Sequence, residues 1–284
     1  MLETSMTRHP EFTVLLARQR SGTNALRAVL QSNPEIFCFD EVFAPADPVR
    51  LDAVQTHGNY FEFLREYAAR DVSRAFPDRH EQILADYLVH LRGLTDKRLI
   101  IVDVKYNSTH HLDGPFRDLG EPALWGLIKA RELAVLHLTR DHYLRCLVSH
   151  LKAWESKQYY VLDGTRPVDA RVQVPVNWAL NTMGQWQAED QAVAAAFLGY
   201  EFYKRVEYTG LFPDATGSMA PGPLADLRAW FGVPDRFVTR PPFPRYSSLP
   251  LVETIENIDQ VIDTLRGTRF EYCLDDEPAY RRAG

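Results

Sequence analysis

The chain has 284 residues, 45% hydrophobic and 25% charged, enough apolar content for one large core. A net charge of −6 argues against a nucleic-acid-binding surface, which needs a basic face. Any polyanion site therefore depends on a local cluster of positive charge, for which Arg18, Arg20, Lys105, Arg140 and Arg145 are available.

Strand-like runs alternate with helical patterns, which predicts a parallel sheet covered on both faces. Strands are expected at Phe12–Ala17, Ile36–Phe39, Arg98–Val104, Leu133–Thr139 and Phe202–Tyr208. The first, third and fourth are nearly continuous apolar runs, as doubly covered strands require. Helices are expected at Thr23–Ser32, Asn59–Arg70, Glu81–Leu91, Leu124–Arg131, His142–Glu155, Asn177–Phe197, Leu224–Phe231 and Leu251–Leu265. Gly232 and Gly267 sit where C-terminal caps belong, and Asn33-Pro34 ends the first helix. Ala44–Gln55 and Leu211–Gly222 read as loops. With no repeat and no linker, residues 1–284 form one domain, with embellishments at about 44–95 and 156–222.

Cys38, Cys146 and Cys273 lie among apolar neighbours and read as reduced core residues, neither a disulfide frame nor a zinc site. No apolar run reaches the length of a membrane span, and the polar start MLETSMTRHPEF lacks a secretory core. The expectation is a soluble, cytoplasmic protein.

The first strand runs into the turn Arg18-Gln19-Arg20-Ser21-Gly22-Thr23-Asn24, which opens an amphipathic helix carrying Ala25, Leu26, Val29 and Leu30 on one face. A sharp strand-to-helix turn leaves backbone N–H groups without helical partners, and the helix dipole adds partial positive charge there. Such a place suits a phosphate or sulfate. Gly22 permits close backbone approach, Ser21 and Thr23 supply hydroxyls, and Arg18 and Arg20 supply full charge. The string G-x-x-x-x-G-K-[ST] is absent, as is G-x-G-x-x-G, so neither a magnesium-nucleotide loop nor a dinucleotide fingerprint is present.

A second junction has similar chemistry. Arg140 ends the fourth strand, at the carboxyl edge where open α/β sheets bind ligands, and its fork suits phosphate. On the next helix Leu144, Leu147, Val148 and Leu151 form one stripe. Ser149 falls off that stripe, on the side of Arg145 and His142, where it can meet solvent or a ligand.

The strand–R-x-R-S-G-T–helix arrangement resembles the 5′-phosphosulfate loop of sulfotransferases that use 3′-phosphoadenosine 5′-phosphosulfate (PAPS). Leu133–Ser156 resembles their 3′-phosphate motif, and Ile255–Leu274 is similar to the C-terminal helix and tail of bacterial members, nearest to carbohydrate sulfotransferases of the trehalose type. The resemblance implies a three-layer, P-loop-like α/β fold with a central, mostly parallel sheet. It implies PAPS as sulfuryl donor, no metal, and a hydroxyl acceptor on a sugar, glycolipid or natural product. Arg18, Arg20, Ser21, Gly22, Thr23, Asn24, Arg140 and Ser149 would hold the donor, with Arg20 on the leaving oxygen.

The family's glutamate base falls on Glu41, with Asp40 as the alternative. Other members use a histidine, for which His110 or His111 is available. Lys105 matches a lysine near the donor, with Asn107 beside it, and is counted with Glu41 and Arg20 as catalytic. Tyr208 matches a tyrosine at a late strand end, but Thr-Gly follows it where relatives carry Glu-Asp, so packing is the simpler role. Arg240 or Arg245 stands near a position where relatives carry a lysine-containing stretch. The aromatic-rich region Trp154–Tyr208, with loops Ala44–Gln55 and Tyr159–Pro175, is expected to frame the acceptor. The competing readings are a catalytically silent adenosine-bisphosphate binder and a nucleotide-kinase-like enzyme.

Overall fold

The computed structural model describes residues 9–44, 52–72, 79–113, 121–157, 170–243 and 249–280. Five strands, β1 (Phe12–Ala17), β2 (Ile36–Glu41), β3 (Leu99–Lys105), β4 (Ala134–Thr139) and β5 (Tyr203–Glu207), form one sheet in the order β2-β3-β1-β4-β5. Every pairing is parallel. All five lie where the sequence puts them, to within two residues at either end.

The helices are α1 (Thr23–Gln31), α2 (Ala53–His57), α3 (Tyr60–Arg70), α4 (His80–Gly93), α5 (Ala123–Ala130) and α6 (Tyr143–Ser156). They continue as α7 (Val176–Ala196), α8 (Tyr208–Leu211), α9 (Pro221–Phe231), α10 (Leu251–Thr254) and α11 (Ile258–Leu265). Alternation along β1 builds the layers. Phe12, Val14 and Leu16 join a cluster with side chains of α3, α4, α5 and α7, whereas Leu15 and Ala17 join one with α1 and α9. A third cluster packs α6 and α7 against α10 and α11.

Four details depart from the sequence reading, the first being α8, a short helix where a strand end and a loop were expected. The expected loop Ala44–Gln55 contains the start of α2, capped by Asp52, whose side chain accepts from the Gln55 N–H; residues 45–51 of it lie outside the described residues. The single C-terminal helix is two, because Ile255 is extended and bridges Val172 in parallel. Tyr106–Leu112, to which the sequence reading assigned no helix, is a 3-10 turn carrying His110 and His111. The loop Tyr159–Pro175 lies outside the described residues as far as position 169, and Arg245 lies outside them too. Among the described residues no helix is long and apolar enough to cross a membrane. The three cysteines are buried and free.

Candidate active site

All five strands end in a polar residue at the carboxyl edge: Arg18 just beyond β1, Glu41 on β2, Lys105 on β3, Arg140 just beyond β4 and Tyr208 just beyond β5. In the β1–α1 turn, Arg20 and Gly22 have φ of +69° and +96°. Two left-handed residues within three positions curl the backbone as in an anion-binding concavity. The first bond of α1 runs from the Leu26 N–H to the Gly22 carbonyl, so the N–H groups of residues 23–25 precede the helical ladder. Gly22, the N-cap, has no side chain to cap them.

Gly22 is also sterically required. A Cβ there would lie 2.2 Å from Tyr208 Cε2. The same Tyr208 ring stacks under the Arg140 guanidinium at 4.5 Å, so one aromatic plane supports both the turn and the arginine.

The two sequence motifs meet. Arg20 Nε donates to Ser149 Oγ at 3.0 Å, and Arg140 Nη1 reaches the Arg20 carbonyl at 3.4 Å. His150, which the sequence reading passed over, lies against Trp186 with its imidazole kept below its usual pKa by burial and then by the Arg20 charge.

Beneath the turn lies a buried ionic group. Lys105 Nζ donates to Thr23 Oγ1 at 2.7 Å and to both Asp103 oxygens at 2.6 and 2.8 Å, and it stands 3.8 Å from Glu41 Oε1. Glu41 owes its place to a β-bulge. Phe39 pairs with Val102 and Glu41 with Asp103, which leaves Asp40 as the extra residue. Unbulged alternation would set Asp40 opposite Asp103 and turn Glu41 to the other face. Asp40 is engaged elsewhere, with Arg27 at 2.7 Å and as acceptor from the Glu41 N–H at 2.8 Å. Burial pushes the Glu41 carboxyl above its ordinary pKa; Lys105 pulls it back, and Asp103 and Asp40 push it further up.

Other expected residues have different neighbours. Arg18 is 7% exposed and points away from the turn, binding Glu189 and Asp190 at 2.7 Å each and the Trp186 carbonyl at 2.6 Å. These carboxylates of α7 make Arg18 a brace between β1 and α7. The Ser21 hydroxyl donates to the Arg18 carbonyl at 2.7 Å, and Asn24 Oδ1 accepts from Arg27 at 2.7 Å. The Ser21 hydroxyl and the Asn24 amide oxygen thus shape the turn. His110 pairs with Asp113, and His111 packs between Phe43 and Phe61. Asn107 is exposed and accepts from Ser108 at 3.4 Å.

Arg140 and Arg145 are both paired with carboxylates of the segment after α11. Arg140 Nε and Nη2 donate to Glu277 Oε1 and Oε2 at 2.7 and 2.8 Å. Arg145 Nε donates to Asp276 Oδ1 at 2.7 Å, and its Nη2 donates to Asp276 Oδ2. Burial opposes the Arg140 charge, but Glu277 outweighs it and holds the guanidinium firmly protonated.

No family model matches this sequence, and no curated protein does. Solved structures are similar, among them the following two. A sulfotransferase from Alicyclobacillus acidocaldarius matches with a TM-score of 0.43 and 14% identity, over 94% of this chain and 96% of that one. The sulfotransferase domain of the Synechococcus PCC 7002 olefin synthase matches with a TM-score of 0.43 and 15% identity, over 98% of this chain and 90% of that one. Likeness this distant transfers no residue role; the roles rest on the geometry.

Sequence reasoning missed Asp103, Asp276 and Glu277. Asp103 had a signal, a lone carboxylate in an apolar strand two positions before Lys105 and therefore on the same face. The acidic run Asp275-Asp276-Glu277 carried no sign of its partners.

Proposed function

We propose that this chain transfers the sulfuryl group of PAPS to a hydroxyl of a sugar, glycolipid or natural-product acceptor. The observation that carries the reading is the meeting of Arg20 with Ser149 and of Arg140 with the Arg20 carbonyl. Two basic motifs, 120 residues apart in sequence, share one edge of the sheet. A donor charged at both its 5′ and 3′ ends needs two such sites within one molecule's reach.

In this reading the backbone of Ser21, Gly22, Thr23 and Asn24 holds the 5′-phosphate, and Arg140 with Ser149 takes the 3′-phosphate. The acceptor oxygen attacks sulfur in line as the bond from sulfur to the bridging phosphate oxygen breaks. The acceptor proton passes to Glu41, and adenosine 3′,5′-bisphosphate leaves with the electron pair of the broken bond. Negative charge grows on the bridging oxygen, where Arg20 and the dipole of α1 lower the barrier, as preorganised donors do in phosphoryl transfer. Lys105, bonded to Thr23, adds a second cation beneath the turn. Arg18 acts only through the packing of α7.

Glu41 suits a base because burial raises its pKa, which makes it a better proton acceptor than an ordinary carboxylate. The test is transfer of labelled sulfate from PAPS to a panel of glycosides and phenols, alongside thermal shift with adenosine 3′,5′-bisphosphate and with ATP–magnesium. Stabilisation by the bisphosphate and labelled product are expected. Stabilisation by ATP–magnesium alone would end the reading. Bisphosphate binding without turnover on any acceptor would favour a silent binding protein.

A further inference from the structure

The acidic segment that follows α11 closes over the residues assigned to the donor's 3′ end, in a geometry that imitates the ligand. Glu277 meets the Arg140 fork with both oxygens, and Asp276 meets the Arg145 fork with both of its own. Paired, parallel bonds to a guanidinium are the pattern phosphate also adopts. Arg140 and Glu277 are 7% and 3% exposed, so no room is left beside the pair for a second anion.

The segment has its own fastenings. The Tyr280 ring lies 3.8 Å from the Arg145 guanidinium, the Leu251 N–H donates to Asp276 Oδ2 at 2.8 Å, and the Tyr280 N–H donates to the Glu277 carbonyl at 2.9 Å. Opposite this acidic pair, Arg140 Nη1 reaches the Arg20 carbonyl and Tyr208 stacks on the guanidinium plane. Arg140 is thus held by the turn and by Tyr208 independently of Glu277. Lifting the segment would leave the arginine in position with its fork open.

We infer that Asp276–Tyr280 is an intramolecular latch, whose Glu277 carboxylate stands in for the donor's 3′-phosphate and must leave Arg140 for the donor to seat, with Asp276 fastening the segment to Arg145. The inference rests on the PAPS reading. A dianionic phosphate and the Glu277 carboxylate cannot both bond the Arg140 fork, and side by side they repel. Binding therefore requires exchange: phosphate takes the two Arg140 bonds, and Glu277 moves into water, which solvates it. The latch reduces apparent donor affinity by the fraction of molecules in which it is closed. It also keeps a buried arginine paired whenever the donor is absent, which spares the fold an uncompensated charge.

The test titrates adenosine 3′,5′-bisphosphate and adenosine 5′-phosphate into wild type and Glu277→Gln by calorimetry. Loss of the competing charge should tighten bisphosphate binding by about tenfold or more and leave adenosine 5′-phosphate unchanged. Equal bisphosphate affinity in both proteins would overturn the latch and leave the donor reading intact. Equal affinity for the two nucleotides in both proteins would point to a donor with a free 3′-hydroxyl and would also overturn the latch. No binding of either nucleotide to either protein would remove the donor reading and the latch together. Amide hydrogen exchange on wild type needs no variant. Saturating bisphosphate should speed exchange across residues 276–280, and slowed or unchanged exchange would count against release.

Discussion

Lys105 Nζ stands 3.8 Å from Glu41 Oε1 yet makes its short bonds to Asp103 and Thr23. The ammonium is close enough to bias the glutamate and is not consumed by it. Asp103, which is fully buried, supplies the neutralising charge that keeps a 3% exposed lysine under the turn. One cation thereby faces both Glu41 and the first residue of α1.

Glu41 carries the first prediction. Glu41→Gln should preserve bisphosphate binding and lower turnover by about 10²–10⁴-fold, the range for loss of a positioned base. In wild type the acid limb of kcat/KM should fall above the ordinary carboxylate range, because burial raises this carboxyl and only the ionised form accepts a proton. Turnover unchanged in the variant would take Glu41 out of the mechanism.

Lys105 governs where that limb lies. Lys105 lowers the Glu41 pKa, so Lys105→Met should move the acid limb to higher pH and reduce kcat. Arg27, 3.2 Å from Asp103, continues to counter that carboxylate in the variant. A pH–rate profile that stays in place would show the two side chains to be uncoupled.

Gly22 tests the steric account of the turn. Gly22→Ala meets both a φ of +96° and the Tyr208 ring, and should cost about 2–4 kcal/mol from left-handed strain and overpacking combined. In the double variant with Tyr208→Ala the clash disappears while the strain stays, so the two losses should sum to more than the double variant's loss. Simple additivity in urea unfolding would mean the ring is not the obstacle.

His137 gives a pH dependence of stability unconnected with catalysis. Fully buried on β4, it bonds Tyr203 Oη at 2.7 Å and Tyr106 Oη at 2.5 Å, and Tyr106 in turn donates to Asp190 at 2.8 Å. Since Tyr106 donates onward, it accepts from the ring Nε2–H, and Nδ1 accepts from Tyr203; a neutral imidazole satisfies both. Burial, with help from Arg205 and Arg18, lowers its pKa from 6.5 to about 3. The unfolded chain gains the proton as pH falls through about 6.5, while the folded ring resists until about 3, so stability declines across that window. His137→Leu should flatten that slope and cost about 1–3 kcal/mol at neutral pH for the stranded tyrosine hydroxyls. An unchanged slope would move the effect to other groups.

The sequence by itself determined the strands, most of the helices, and the chain positions of the turn at Arg20 and the junction at Arg140. Each depends on a short-range cause: apolar runs, a 3.6-residue stripe at Leu144, Leu147 and Val148, or a glycine where the backbone turns left-handed. Only the tertiary structure decided which charges face which. Arg18 meets Glu189 from 171 positions away, Arg140 meets Glu277 from 137, and the bulge at Asp40 sets Glu41 over Lys105. A partner so distant leaves no periodic trace, because the pairing is chosen by how the strands cross and what burial demands of each charge. A reading of residue types therefore finds the arginines, and the fold alone decides which of them face carboxylates of the same chain.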